Sequence, residues 1–415
     1  MDRRDFSKLL TLGSGVMGMF GGPDSARAGT SDDTGEPRSG EACGDNPTPE
    51  PEGRAQSAEP VNVQDFQRLA KAALPAPTYD YITTGSTDEV TLRDNTAAFQ
   101  RFKILPPLLT GVAKADLSTT ILGERISMPI LLAPVAGQSL FHRDGGLASA
   151  RGAARAGTIF GMSSSVGNSV EEIAAASEGP KWFQLYVPKD RGVARRLVER
   201  ADRAGFKAIV VTVDLGERKD ADRKNRFALP RPTLLKHLRD VGFDVHAGMS
   251  DAELAAFNEQ AWDPALSWEI FDWLRSITKL PVLIKGVLRP DDARKAVSLG
   301  LDGIVVSNHG GRRLDGVPAS IDQLEPIAQE VQGKTAVLLD SGVRRGTDVL
   351  KALALGANAV LIGRPYAWAL AADGEAGVRK VLELLREELE LAMVSTGCPD
   401  VKSVHRSLLE KISPN

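Results

Sequence analysis

Cysteine is scarce in this sequence, and charge of one sign is absent. The two cysteines, Cys43 and Cys398, lie in opposite parts of the 415-residue chain. This excludes a disulfide framework and a cysteine-ligated zinc site, although one bridge between them stays open. The 51 basic residues nearly balance the 54 acidic ones and leave a net charge of -3. The composition therefore gives no electrostatic indication of a nucleic-acid partner or an anionic membrane.

A long apolar run is also missing near the N-terminus. The stretch from Leu9 to Gly22 is too short and too rich in glycine to span a bilayer. It follows the paired Arg3-Arg4 and precedes Ala26-Arg27-Ala28, a small-x-small cleavage pattern. This order is typical of a twin-arginine export signal. We expect residues 1–28 to be that signal and the mature protein to be periplasmic.

Apolar side chains remain sparse up to residue 60. Residues 29–60 are rich in Pro, Gly, Glu, Ser and Asp, with almost nothing to bury, and this composition predicts a disordered linker. From residue 61 to 415 the pattern is that of a globular domain. Amphipathic helices are predicted over Asn62–Leu74, closed by Pro75, and around Asp88–Phe99.

Eight short apolar runs follow, separated for the most part by amphipathic helical patterns such as Val193–Ala204 and Asp291–Leu299. Buried strands that alternate with helices predict a parallel sheet covered on its outside. Eight of them over roughly 240 residues predict a (β/α)₈ barrel with an N-terminal helical extension. A doubly wound open sheet is the alternative, and it would normally use fewer strands. The runs begin near Pro129, Thr158, Trp182, Lys207, Pro281, Leu301, Thr335 and Asn358.

One interval between strands is more than twice the usual length. The fourth strand ends near Asp214 and the fifth begins near Pro281, with a mixed-charge helical stretch around Asp251–Gln260 between them. An insertion at this end of a barrel predicts a lid or a substrate-access loop. The alternative is a surface elaboration without a function.

Every predicted strand ends in residues that suit a ligand. The carboxyl ends of barrel strands meet at one mouth, where barrel enzymes place their catalytic residues. The candidates at these ends are Pro134, Val135, Ala136, Ser163, Gln184, Tyr186, Thr212, Asp214, Lys285, Ser307, His309, Asp340, Gly342, Arg344, Gly363 and Arg364.

The last two strand ends combine small residues with arginines, in DSGVRRG and IGR. Barrels bind phosphate at this place through backbone N–H groups and a helix N-terminus. The alternative for Arg344 is a surface ion pair. A phosphate-bearing cofactor bound there places its ring system over the barrel mouth. Lys285, together with the side chains of Gln184, Thr212 and Ser163, is then within reach to hydrogen-bond that ring.

The chain resembles the FMN-dependent 2-hydroxy-acid oxidase and dehydrogenase family, which includes glycolate oxidase, lactate oxidase, mandelate dehydrogenase and flavocytochrome b2. The resemblance covers about residues 62–410. It implies FMN as cofactor, oxidation of a small L-2-hydroxy acid such as lactate or glycolate to the 2-oxo acid, and a homotetramer. The motifs that carry it are YDYITTGSTDEVTLRDN, WFQLYV, KNRF, PVLIKGV, SNHGGRRLDGVPASID and LLDSGVRRGTDVLKALALGANAVLIGRP.

The resemblance assigns roles to individual residues. His309 would be the base that takes a proton from the substrate, poised near neutral pH, and Asp214 would pair with its imidazolium. Arg312 and Tyr81 would bind the substrate carboxylate, and Tyr186 would lie near the substrate hydroxyl. A structural histidine is the alternative for His309.

The cofactor contacts follow from the same resemblance. Lys285 would stabilise negative charge on the reduced flavin ring. Ring and ribityl contacts would come from Pro134, Val135, Ala136, Ser163, Gln184, Thr212 and Ser307, and the ribityl and phosphate site from Asp340, Gly342, Arg344, Gly363 and Arg364.

The sequence departs from the family after the fourth strand, where the spacer before a second substrate cation is shorter. Either Arg218 or Lys219 can supply that cation, and the distance to the KNRF motif favours Lys219. Ser165 stands where glycolate oxidase has a tryptophan in its substrate pocket. Two matters stay open. The electron acceptor is oxygen, a quinone or a cytochrome, and the alternative function is an FMN barrel with an isomerase or non-catalytic sensor role.

Overall fold

The computed structural model describes residues 59–215 and 230–412. The predicted export signal, nearly all of the predicted linker, Cys43 and the candidate cations Arg218 and Lys219 lie outside the described residues. Cys398 is buried. Within the described residues, no helix is both long enough and apolar enough to cross a membrane.

Three helices precede the barrel: α1 (Val63–Ala73), α2 (Ala76–Thr83) and α3 (Val90–Ala97). Helix α1 begins where the Asn62 side chain accepts the backbone N–H of Asp65 at 2.9 Å. It ends before Pro75, because a proline disfavours helical geometry in the residue that precedes it. The predicted first helix is thus confirmed. The second is shorter than predicted, since a 3₁₀ turn replaces its last part at Ala98–Arg101.

The eight predicted strands form a closed parallel barrel in chain order, in which the last strand pairs with the first through Leu361 and Leu131. The predicted (β/α)₈ fold is therefore confirmed. The barrel strands are β4 (Ile130–Leu132), β5 (Phe160–Ser163), β6 (Lys181–Leu185), β7 (Ala208–Thr212), β8 (Val282–Val287), β9 (Gly303–Val306), β10 (Ala336–Leu339) and β11 (Ala359–Ile362).

Both faces of these strands are buried, which explains why they read as continuous apolar runs. Leu131, Val210 and Leu283 belong to a cluster that draws residues from all around the barrel and fills its interior. Their chain neighbours, such as Ile130 and Ile209, belong to the larger core between the strands and the surrounding helices. Each strand thus alternates between the two cores, as the two-residue period of a strand requires.

Most of the outer layer consists of helices that follow the strands, with two small sheets beside it. The helices are α4 (Gly145–Arg155), α5 (Val170–Ala176), α6 (Arg191–Arg203), α10 (Pro290–Ser298), α11 (Ser320–Val331), α12 (Gly346–Ala354) and α13 (Arg364–Ser395), the last kinked at Asp373 and Gly374. Two antiparallel pairs were not predicted: β1 (Phe102–Ile104) with β12 (Leu409–Lys411), and β2 (Thr119–Ile121) with β3 (Glu124–Ile126).

The described part of the insertion between β7 and β8 holds three helices, α7 (Arg231–Val241), α8 (Asp251–Gln260) and α9 (Glu269–Ile277). Helix α8 begins with a capping box in which Ser250 and Glu253 satisfy each other's backbone N–H groups. Leu235, Leu238 and Leu254 belong to a small apolar cluster of the insertion's own. The predicted helical stretch at Asp251–Gln260 is confirmed, and the described part of the insertion is a folded unit.

Candidate active site

A cavity opens at the carboxyl ends of the strands. Helix α2 contributes one wall, so the N-terminal extension closes the site that the barrel leaves open. The predicted residues that line it are Tyr81, Pro134, Val135, Ala136, Tyr186, Lys285, His309, Arg312, Asp340, Gly342, Arg344, Gly363 and Arg364.

A tight turn after β9 brings His309 into this cavity. His309, Gly310 and Gly311 have φ angles of +59°, +67° and +68°, all in the left-handed region. A side chain at Gly311 would stand 2.7 Å from the backbone nitrogen of Leu92 in α3, so only glycine fits there. The backbone N–H of His309 donates to the Ser307 hydroxyl at 3.0 Å, which fixes the start of the turn.

His309 is paired with Asp214, which follows β7. The imidazole Nδ1 lies 2.8 Å from Asp214 Oδ1. An ionised carboxylate only accepts hydrogen bonds, so Nδ1 carries the proton and Nε2 is left as the basic nitrogen. The second carboxylate oxygen, Oδ2, is buried and has no hydrogen-bond partner among the residues that the structure describes. Asp214 therefore holds negative charge directly behind the histidine.

Burial and nearby charges set the ionisation of this pair. Burial lowers the pKa of His309 to about 3, helped by Arg313 and Lys285 and opposed by Asp214. This is lower than the near-neutral pKa expected from the sequence, because the ring is buried beside two cations. Burial would raise the pKa of Asp214, but His309 and Lys285 outweigh it and lower that pKa to about 2. At physiological pH the imidazole is neutral and the carboxylate is ionised.

Lys285 is a fixed positive charge on the cavity wall. Its ammonium lies 2.8 Å from Asp340 Oδ2 and donates to the Ser307 hydroxyl at 2.9 Å. Burial would lower the pKa of Lys285, but the carboxylates of Asp340 and Asp214 overcome it and raise that pKa. The sequence assigned Asp340 to the ribityl and phosphate site. In the structure its carboxylate binds Lys285 and accepts from the Ser341 hydroxyl at 2.7 Å.

Arg312 and Arg364 bind the backbone at the end of α2. Arg312 donates to the Tyr81 carbonyl at 2.6 Å, and its guanidinium lies 5.1 Å from the centre of the Tyr81 ring. Arg364 donates to the carbonyls of Ile82 at 3.1 Å, Thr84 at 2.9 Å and Gly310 at 2.8 Å. The two arginines thereby attach the helix that carries Tyr81 to the turn that carries His309.

Positive charge accumulates at the far end of the cavity. Burial lowers the pKa of Arg364, and the like charges of Arg312 and Arg344 lower it further. Burial lowers the pKa of Arg344 to about 10, and its guanidinium lies over the ring of Trp368 at 5.2 Å. Arg344 is thus a partly buried residue of the cavity lining and not one side of a surface ion pair. Arg364 is the first residue of α13, and an arginine beside the N-terminus of a helix suits a phosphate.

Four of the predicted ring contacts, Ser163, Gln184, Thr212 and Ser307, are buried and do not line the cavity. The Ser163 hydroxyl donates to the side-chain amide oxygen of Gln184, Oε1, at 3.1 Å. The Gln184 Nε2 amide is buried and has no acceptor among the described residues. A buried donor without a partner costs free energy unless a ligand supplies the acceptor. This orphan amide and the arginine-rich end of the cavity together fit FMN.

Some contacts at the site had no signal in the sequence. Ser341 bridges the site, since its hydroxyl also accepts the backbone N–H of Gly310 at 2.9 Å. Trp262 of the insertion packs against Tyr186. Both residues are chemically ordinary in their local sequence, and only the closed barrel brings them to the cavity. Arg218 and Lys219, which were candidates for a second cation, lie outside the described residues.

The fold and the site define a class of protein: a (β/α)₈ barrel whose mouth combines a histidine–aspartate pair, a buried lysine and arginines that suit a phosphate-bearing ligand. The sequence profile described as FMN-dependent dehydrogenase matches residues 70–411. The chain belongs to this family. It is 50% identical over 358 residues to 2-hydroxyacid oxidase 1 of Homo sapiens, covering 85% of this chain and 96% of the relative.

Two further proteins are similar to this chain over most of its length. Glycolate oxidase of Spinacia oleracea is 49% identical over 352 residues, which are 84% of this chain and 95% of that one. The crystal structure of mandelate oxidase with (S)-2-phenylpropionate superposes with a TM-score of 0.76 and 42% identity, covering 85% and 98% of the two chains. The predicted cofactor, FMN, and the predicted class, an FMN-dependent 2-hydroxy-acid oxidoreductase, are confirmed. The isomerase or sensor alternative is not favoured.

Proposed function

We propose that the protein oxidises a small L-2-hydroxy acid of the lactate or glycolate type to the 2-oxo acid, with FMN as cofactor. The observation that carries the proposal is the hydrogen bond of 2.8 Å between a neutral His309 and an ionised Asp214 at the wall of the cavity. A barrel that only binds phosphate needs no such pair, whereas an enzyme that abstracts a proton from its substrate does.

The carboxylate of the substrate is bound by Arg312 and Tyr81. Arg312 provides a fork of donors that matches a carboxylate. Tyr186 lines the same cavity and would lie near the substrate hydroxyl. Because these groups lie around the same cavity as His309, they orient the substrate toward its Nε2 atom.

His309 takes a proton from the substrate on Nε2. The bound carboxylate brings negative charge into the cavity, which raises the affinity of the imidazole for a proton. Asp214 stabilises the imidazolium that forms through the Nδ1 hydrogen bond. FMN, when bound, would supply the oxidant, taking up the two electrons and the second proton that the oxidation releases.

The cofactor is held by residues along the length of the cavity. Lys285 would offer a positive charge to the flavin ring, which gains negative charge on reduction. The ring and ribityl contacts would be Pro134, Val135 and Ala136 of the cavity lining, together with Ser163, Gln184, Thr212 and Ser307, which are buried outside that lining. The phosphate site consists of Gly342, Arg344, Gly363 and Arg364, with Asp340 acting through Lys285.

Anaerobic bleaching tests this function. A panel of 2-hydroxy acids added without oxygen should reduce the flavin of the purified enzyme, and stopped-flow rates would rank the substrates. His309→Ala should keep its FMN and lose about 10²- to 10⁴-fold in turnover. Flavin that no 2-hydroxy acid reduces, or near-normal turnover in the variant, would contradict the proposal.

The acceptor and the assembly are part of the same proposal. Oxygen, a quinone and a periplasmic cytochrome are the candidate acceptors of electrons from reduced FMN. Rates of reoxidation with each of the three, measured after anaerobic reduction, distinguish them. A homotetramer is expected by family resemblance, and light scattering of the holoenzyme measures it directly.

Export by the twin-arginine route is supported by Arg3-Arg4 and the cleavage pattern that ends at Ala28. The mature chain would begin near Gly29 and carry its flavin across the membrane already folded. Replacing both arginines with lysine should leave the protein in the cytoplasm. Unchanged fractionation of that double variant would refute the export proposal and leave the enzymatic one intact.

A further inference from the structure

Trp262 belongs to the insertion and packs against Tyr186, a residue of the active site. Its ring meets the ring of Tyr186 edge to face, with centroids 5.8 Å apart and planes at 73°. Tyr186 lines the cavity, whereas Trp262 does not. The indole therefore supports the outer side of a tyrosine whose inner side faces the substrate position.

The backbone holds these two residues in register. The segment after β6 pairs with the segment after α8 in a short antiparallel bridge at Pro188 and Trp262. Lys189 N–H donates to the Ala261 carbonyl at 2.9 Å, and Asp263 N–H donates to the Val187 carbonyl at 3.0 Å. The strand end that carries Tyr186 is thus fixed to the insertion.

A salt bridge reinforces this connection. Arg191, at the start of α6, donates to the Pro188 carbonyl at 2.7 Å and forms an ion pair with Asp263. Because Asp263 follows Trp262 directly, the ion pair restrains the backbone on the same side as the indole. A shift of the Trp262 backbone away from Tyr186 would require this pairing to break.

The other surfaces of the indole pack inside the insertion. The His237 ring stacks on it with centroids 6.4 Å apart and planes at 23°, and Phe243 meets it at 6.0 Å and 82°. Phe243 in turn contacts Phe257 of α8 at 5.3 Å. Aromatic contacts therefore run without a break from the core of the insertion to the wall of the cavity.

Besides the Trp262 ring, Lys285 is close enough to the Tyr186 side chain for an electrostatic interaction. The Tyr186 backbone N–H donates to the Ser164 hydroxyl at 3.3 Å. The described residues offer no hydrogen bond to its phenol hydroxyl, which leaves that group available to a substrate. Ring packing then contributes to the orientation of the phenol, and edge-to-face pairs have a preferred geometry.

We propose that Trp262 is a positioning residue for Tyr186, through which the insertion sets the outer wall of the substrate pocket. The inference rests on the proposed oxidation of a 2-hydroxy acid. It gives the insertion a specific role in that reaction. Because the insertion holds a substrate-facing phenol at a fixed angle, its packing affects the placement of the substrate hydroxyl.

Steady-state kinetics of the holoenzyme test the proposal with a 2-hydroxy acid that the wild type oxidises. Trp262→Ala should lower kcat/KM about 3- to 10-fold, with FMN content unchanged, because Trp262 does not touch the cofactor cavity. Trp262→Phe should restore activity to within about twofold, since phenylalanine also presents an aromatic edge. Trp262→Leu, which keeps apolar bulk without an aromatic ring, carries the test if the alanine variant does not fold.

A double-mutant cycle separates positioning from general stability. If Trp262 acts through the Tyr186 hydroxyl, the loss caused by Trp262→Leu should vanish in a Tyr186→Phe background. Trp268→Leu is the matched control, because this indole packs on Phe271 of α9 and lies outside the cavity lining. It should leave kcat/KM unchanged even if it lowers Tm.

Three results would overturn the proposal: a folded Trp262→Leu variant with wild-type kcat/KM, the same loss in Trp268→Leu, or losses that add in the double variant. A failure of the proposed function is distinguishable from these results. In that case the wild-type enzyme itself would oxidise none of the 2-hydroxy acids tested.

Discussion

Replacing Asp214 with asparagine is a direct test of the proposed proton transfer. Asparagine keeps the shape of the side chain and an oxygen that can accept the Nδ1–H of His309. It removes only the negative charge behind the ring. Because Asp214 does not line the cavity, substrate binding and KM should change little.

The magnitude follows from the hydrogen bond of 2.8 Å. When His309 takes the proton, that bond becomes one between two charged groups, and a hydrogen bond to a charged group is worth about 1.5–3 kcal/mol. Since each 1.36 kcal/mol is tenfold in rate, kcat should fall by about 10- to 150-fold. The negative charge of Asp214 opposes burial and keeps the pKa of His309 from falling further. Its removal lowers that pKa, so raising the pH should not restore the rate.

The assay is anaerobic flavin reduction in the stopped flow, from pH 5 to 9, with FMN content measured in each variant. Asp302→Asn is the matched control, because Asp302 precedes β9 at the opposite end of the barrel and accepts the Val282 N–H at 2.8 Å. A rate within about threefold of wild type would refute the reasoning. So would an equal loss in the control, or recovery of the rate at high pH.

Further predictions concern charge and pH. Arg312→Met should lower kcat/KM by about 150- to 5000-fold, because it removes one partner of a buried ion pair with the substrate; steady-state kinetics that fall outside this range would contradict the role. Lys219→Met should raise KM about 10-fold, more than Arg218→Met does, and two wild-type values would exclude a cation in that loop. The free energy of unfolding should fall as the pH drops from 6.5 to 5. His309 and His237 have pKa values of about 3 and about 4 in the folded protein, so both stay neutral there over this pH range. In the unfolded chain both become protonated. Each histidine contributes up to about 1.4 kcal/mol per pH unit, so denaturant titrations of His237→Gln should show about half the slope of the wild type, and an unchanged slope would contradict the assignment.

The sequence predicted the barrel because its strands are buried on both faces. Continuous apolar runs such as Ile304–Val306 indicate these strands in the sequence itself. The polar residue that ends each run indicates the mouth of the barrel. The pairing of Phe102–Ile104 with Leu409–Lys411 left no such signal. Its strands have three residues each and come from opposite ends of the described chain, and nothing in either segment specifies the other.

The same distinction applies to the site. His309, Arg312 and Lys285 stand in motifs whose chemistry is visible in the sequence. The engagement of Asp340 by Lys285 and the support of Tyr186 by Trp262 depend on which strands become neighbours. These contacts follow from the tertiary structure and could not be predicted from residue type or spacing.

The attachment of α2 by two arginines has a consequence for how the enzyme matures. Arg312 and the carbonyl of Tyr81 are 231 positions apart along the chain, and Arg364 and the carbonyl of Thr84 are 280 apart. Contacts of such long sequence separation are costly in loop-closure entropy and slow to form. The tyrosine that we assign to the substrate carboxylate is therefore placed only after the sixth and eighth barrel strands are in position. A newly made chain would acquire its substrate site in one of the last steps of folding, so that incompletely folded molecules are inactive.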